Sequence, residues 1–150
     1  MKHLFDPAIA GEVQSRLQGL DPDAARLWGR MTAAQAMAHC ASAMEMASGD
    51  LRPRRVLLGR ILGPLVKAKV LADDAPFGRN SPTAKELKSG PEVDFSAERA
   101  RLAALVERFA RAGPAGCSPH PHPFFGRLSP QEWAVLAYKH LDHHLRQFGA

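Results

Sequence analysis

Ser129-Pro130-Gln131-Glu132-Trp133-Ala134-Val135-Leu136-Ala137-Tyr138-Lys139-His140-Leu141-Asp142-His143-His144-Leu145-Arg146-Gln147-Phe148 is the stretch whose reading decides the fold. It opens with a serine able to take an orphan backbone N–H, a proline at the first helical position and a glutamate at the third, the pattern of a capping box. With His140 as origin and about 100° per residue, Trp133 falls at about 20°, Leu136 at about 320°, Ala137 at about 60°, Leu141 at about 100° and Phe148 at about 80°. One apolar stripe therefore runs the length of an amphipathic helix that ends at Phe148.

Working outward, the same chemistry marks other helices. Asp6-Pro7 supplies a cap and a proline start, and Ile9, Val13 and Leu17 follow at helical spacing before Gly19. Thr32-Ala33-Ala34-Gln35 is a second capping box and opens a helix running to Gly49, with Ala36, Cys40, Ala43 and Ala47 along a stripe of small residues. Asp94 to Ala112 carries Leu102, Leu105, Val106 and Phe109 at helical intervals and stops at Gly113-Pro114. Between the second and third of these main helices lie some forty weaker residues: a basic apolar segment from Arg54 to Leu71, then Ala72 to Val93 with several prolines and glycines. So long a connection is expected to be functional or partly structured, and it reads as a crossover with partial helix, a wall of a pocket. Ser81-Pro82 is expected to open a short helix ending near Gly90. No stretch alternates with the period of a strand, so the expectation is all-α: four helices with one long crossover.

The 150 residues, 45% apolar and 23% charged, fit one domain spanning 1–150. The net charge of +5 leans toward anions, but the basic residues are spread along the chain, which argues against nucleic acid. Arg52, Arg54, Arg55 and Arg60 form one short basic segment, read as a solvated helix face rather than a nucleic-acid or membrane-surface contact. Two cysteines, Cys40 and Cys117, cannot make a disulfide framework, which points to a reduced, cytoplasmic compartment. The N-terminus reaches Asp6 and Pro7 before any apolar run and does not read as a signal peptide. Val56 to Leu71 is interrupted by Arg60, Lys67, Lys69 and Gly63-Pro64 and falls short of the ~20 apolar residues of a span. It reads as soluble helix, and no membrane partner is expected.

Seven histidines are the unusual feature of the composition. His140 and His144, at about 0° and 40°, lie inside the apolar stripe of the last helix, one turn apart, so their imidazoles can converge on one point. Burying two neutral imidazoles leaves up to four ring nitrogens to satisfy, and a shared metal relieves much of that cost. The intervening glutamate of the helical zinc-protease motif is missing. His39 is the only histidine on any of the other helices and is the candidate third ligand, with Cys40 competing. His143, at about 300° beside Arg146 and Lys139 at the stripe's edge, fits solvent, a place behind the ligands or a site entrance better than direct ligation. Asp142, at about 200°, is placed on the outer face. His120 and His122 alternate with prolines beside Cys117 and read as a solvated turn.

Three stretches together carry a resemblance. Trp28-Gly29-Arg30-Met31-Thr32-Ala33-Ala34-Gln35-Ala36-Met37-Ala38-His39 looks like the second-helix signature of the DinB-like (YfiT-like) superfamily, and His140 to His144 like its last-helix H-x-x-x-H. The run from His122-Pro123-Phe124-Phe125-Gly126 through Glu132-Trp133 to Phe148, with Asn80-Ser81-Pro82-Thr83-Ala84-Lys85-Glu86, resembles a branch of that superfamily known only as a domain of unknown function. The resemblance implies a four-helix bundle, often dimeric, holding one divalent metal on His39, His140 and His144. Characterised relatives include transferases and isomerases that use a low-molecular-weight thiol. Cys40 departs from the leucine many relatives carry after the first histidine and leaves the ligand set intact.

These readings lead to three expectations. The first is a metal-dependent enzyme of the thiol S-transferase or hydrolase type, with zinc, nickel or iron as the ion and a small-molecule substrate or thiol bound, His143 and Arg146 bordering the pocket. The second is a homodimer. The third, in place of the first, is a non-catalytic metal-binding bundle acting through protein partners.

Overall fold

A computed structural model describes residues 1–79, 90 and 92–150. These residues form five α-helices: α1 (Pro7–Gly19), α2 (Ala33–Ser48), α3 (Leu57–Val70), α4 (Phe95–Ala112) and α5 (Pro130–Gln147), with a 3-10 turn at Gly113–Gly116. Among the described residues there is no strand, only an isolated bridge between His122 and Gly126. The short helix expected from Ser81-Pro82 lies outside the described residues.

The helix starts are set by local chemistry. Asp6 accepts from the Ala8 N–H, and Asp94 from the Ala97 N–H. Both capping boxes form, Thr32 with Gln35 and Ser129 with Glu132, each side chain reaching the other residue's backbone N–H. α2 ends on Gly49 in the left-handed conformation (φ 86°), which a side chain would strain.

α2 packs most extensively on α4; α1 lies against α4 and α5, and α2 against α5. Their shared core is Val13 and Leu17 of α1, Met37 and Met44 of α2, Leu102, Val106 and Phe109 of α4, and Trp133, Leu141 and Leu145 of α5. Ala36, Cys40 and Ala47 are buried as the small-residue stripe requires, while Ala43 is only partly covered. α5 is enclosed on nearly every side from Trp133 to Lys139, so the residues it carries are held by a crowded scaffold.

The expectation of four helices is short by one. Residues 57–70 form a full helix, α3, with Pro64 inside it. α3 packs chiefly on the loop at Phe124, not on the helical body. Gly59 and Gly63 allow this: a Cβ on Gly59 would sit 2.7 Å from the Phe124 carbonyl oxygen, and one on Gly63 closer still. The Val56 N–H donates to the Pro123 carbonyl at 3.1 Å, and Lys67 pairs with Glu132 at 2.8 Å.

The far end of α3 is anchored by Lys139. Helical spacing puts this lysine at the edge of the α5 stripe, yet it is 3% exposed. Its ammonium donates to the carbonyls of Val70 and Asp73 at 2.6 and 2.8 Å, satisfying the C-terminus of α3 with a cation, the charge that end favours. Lys139→Met keeps the apolar stem but removes the donor to both carbonyls. It is expected to lower stability by about 1–3 kcal/mol, read as a lower urea midpoint at unchanged m-value.

Candidate metal centre

α2 and α5 each carry part of one cluster. His39, midway along α2, and His140 and His144, one turn apart on α5, bring one ligand atom each to within 4.8 Å of one another. Their ring centroids are 4.7, 4.8 and 4.9 Å apart, and the Nε2 atoms of His39 and His140 face each other at 2.9 Å. His39 and His144 are buried and His140 is partly so. The close approach across helices depends on α2 presenting alanines beside His39, which let α5 come near.

A partner residue orients His144. Gln147, three residues on, donates its amide nitrogen to the Trp28 carbonyl at 2.8 Å, which turns its oxygen toward His144. At 2.8 Å that oxygen can only accept, so His144 Nδ1 carries the proton and donates. Nε2 is left with its lone pair for the cluster. Burial, reinforced by the neighbouring His39, pushes the His144 pKa down to about 3. His140 is driven well below the ordinary histidine range by burial and by the adjacent imidazoles. The α5 histidines are thus held neutral, the form that ligates a metal.

Aromatic side chains collar the cluster. Phe77 lies 6.4 Å from the His140 ring and 6.0 Å from His143. Trp28 stands 5.5 Å from His143, and the Arg79 guanidinium lies over the Trp28 ring at 4.5 Å. His143 stands between these rings and His144, 5.1 Å from the latter, with its pKa lowered first by burial. Phe77 and Arg79 were not singled out from the sequence, because they sit in irregular chain where no periodicity points to a face. The reading of that crossover as a pocket wall was the available signal.

Other expectations change. Arg146 does not border the cluster: its Nε donates to Asp142 at 2.7 Å, and Arg16 of α1 donates to the same carboxylate at 2.8 Å. Asp142 is accordingly buried at 6% exposure instead of lying on an outer face. Cys40 stays out of the cluster, which is made of His39, His140 and His144, and burial pushes its thiol pKa far up. His122 is not a solvated turn residue. Its Nδ1 accepts from the backbone N–H groups of Phe124 and Phe125, both at 3.1 Å, and its ring lies 5.6 Å from Trp133. A cavity of about 490 Å³ is lined by Cys117, Ser118, His120, Leu128 and Glu132 among others, away from the three histidines. Burial raises the Cys117 thiol to about 11, so it offers no thiolate there.

Residues 8–150 match the model of a family described as "Protein of unknown function (DUF1569)". No curated protein and no solved structure matches the chain.

Proposed function

We propose that this chain, which belongs to the DUF1569 family, is a single DinB-like helical domain that holds one divalent metal ion on His39, His140 and His144 and uses it in thiol-transfer or hydrolytic chemistry. One observation carries the reading: three imidazoles from two helices converge in a largely buried place, with two of their nitrogens 2.9 Å apart. An ion about 2.0–2.1 Å from each of two such nitrogens sets them about 2.9 Å apart at a right angle and about 3.3 Å apart at the tetrahedral angle, so little movement separates the cluster from a ligand set.

Three histidine ligands leave coordination positions open, the arrangement of a catalytic site. When bound there, a divalent ion supplies Lewis acidity, lowering the pKa of a coordinated water or thiol or polarising a carbonyl. The chain's own residues do the rest. Trp28 and Phe77 exclude water from the rim, and Arg79, stacked on Trp28, offers a cation to an anionic substrate or thiolate. Gln147 fixes the His144 tautomer, and loss of such an orienting partner costs about 10–100-fold in metal affinity. Gln147→Leu is expected to lower affinity by that amount in a chelator-competition titration.

A non-catalytic, metal-binding role through protein partners is the second reading. It is favoured by Asp142, the one acid within His140 to His144, whose carboxylate is engaged in ion pairs with Arg16 and Arg146. Screening metal-loaded protein with thiols and electrophilic acceptors separates the two. Turnover that His140→Ala abolishes, in a variant that remains folded, supports the enzyme. Absence of turnover across the screen with the metal firmly bound supports the binding role.

A further inference from the structure

The largest anomaly outside the histidine cluster is α3. A helix on a protein surface normally turns its apolar stripe inward, but Leu57, Ile61 and Leu65 are 72%, 71% and 73% exposed, with Leu58 at 57%. Leu57, Ile61 and Leu65 share one face at intervals of four along the helix, and Leu58 borders it. The opposite face is committed: Gly59 and Gly63 press against the Phe124 backbone and leave no room for a side chain there. Rotating the helix to bury its leucines would drive larger residues into that loop.

Charge says what covers this face. Residues 51–71 contain Arg52, Arg54, Arg55, Arg60, Lys67 and Lys69 and not one Asp or Glu. With Gly59 at the centre of the inner face and about 100° per residue, the four most exposed apolar residues of α3 fall at about 160–260°, between Arg60 at about 100° and Lys69 at about 280°, and the less exposed Leu62 and Val66 continue past Lys69 toward the inner face. A second copy of the chain would bring these basic flanks against each other. Nucleic acid would meet the charge and leave the leucines in water. An apolar strip with basic residues on either side is the pattern of a helix lying in the headgroup region of an anionic bilayer. Fourteen residues give about 21 Å, too short for a hydrocarbon core of ~30 Å, and no helix among the described residues is long and apolar enough to cross one.

We infer that α3 docks this protein, in the plane of the interface, onto a membrane surface carrying anionic phospholipid. This departs from the expectation of no membrane partner, which rested on the absence of a spanning segment and on reading the basic segment as merely solvated. Periodicity identifies an amphipathic helix but not which side faces out.

The test is co-sedimentation of the full chain with vesicles of phosphatidylcholine alone and of phosphatidylcholine mixed with phosphatidylglycerol, alongside analytical ultracentrifugation without lipid. Binding is expected only to the anionic vesicles and weakened by salt. Ile61→Asp/Leu65→Asp, at positions already exposed, is expected to keep the helical circular dichroism and to lose at least about tenfold in partitioning. Arg60→Gln and Lys69→Gln are expected to lose roughly fivefold each. No binding to anionic vesicles, or binding unchanged in the Asp variant, overturns the proposal. So does a lipid-free dimer that the same variant dissociates, which would give the face to a second copy.

Discussion

Stripping divalent metal from the protein with a chelator is expected to lower its melting temperature by about 10 °C. An ion that binds only the folded chain stabilises it by ~4 kcal/mol when present at a thousandfold over its dissociation constant. For a chain of this length each kcal/mol moves the midpoint by about 2–4 °C. The cluster is ready to receive the ion. The imidazoles on α2 and α5 are already within 4.8 Å of one another, and Gln147 has set the His144 tautomer. Burial keeps His140 and His144 in the neutral form that ligates a metal. The shift is expected to vanish in His144→Ala, measured by scanning calorimetry with and without chelator. A full shift in that variant would place the ion elsewhere.

Lowering the pH of the chelated protein from 7 to 4 is expected to remove roughly 3 kcal/mol of stability through His122 alone. Burial pushes the His122 pKa down to about 4 from an ordinary value of 6.5. The unfolded chain takes up a proton as the pH falls through 6.5, while the folded form refuses it until about 4. Stabilisation is therefore complete above 6.5 and is lost at up to about 1.4 kcal/mol per unit as the pH falls between the two values. The physical obstacle is specific: Nδ1 accepts two backbone hydrogen bonds, and protonating it turns an acceptor into a third donor. His122→Asn can place an amide oxygen where Nδ1 accepts, and that group does not titrate. Urea unfolding of both proteins at pH 7, 6, 5 and 4 checks this. The stability difference between them should shrink by roughly 3 kcal/mol toward low pH, and a constant difference would show that His122 is not the titrating group.

What was legible in the sequence was what local chemistry controls. Asp6, Thr32 with Gln35, Asp94, and Ser129 with Glu132 mark helix starts because each cap is a contact between residues two or three apart. His140 and His144 could be paired for the same reason, since a helix fixes which residues share a face. His39 is different. Its spacing allowed it to face the interior, but bringing it to His140 depends on how α2 meets α5, and the resemblance carried most of that expectation.

The misses have a common cause, which is long-range packing. Asp142 falls on the outer face of α5 only until Arg16 of α1 arrives to cover it. Taking both charges of that contact, Asp142 also claims Arg146, which then has no part in the rim. Lys139 looks like a surface lysine until the end of α3 is placed over it. His122, flanked by prolines, is drawn inward by Phe125 and Trp133. Phe77 and Arg79 lie in chain that obeys no period, and only the folded arrangement puts them beside His140 and Trp28.

The most direct measurement is metal per chain in protein purified without an affinity tag, loaded with zinc or nickel, freed of excess ion, and analysed by native mass spectrometry. The account predicts one ion per chain in the unaltered protein and none in the His39→Ala/His140→Ala/His144→Ala variant, with the helical content of the two alike. No retained ion in the unaltered protein, or one ion still held by the triple variant, would contradict it.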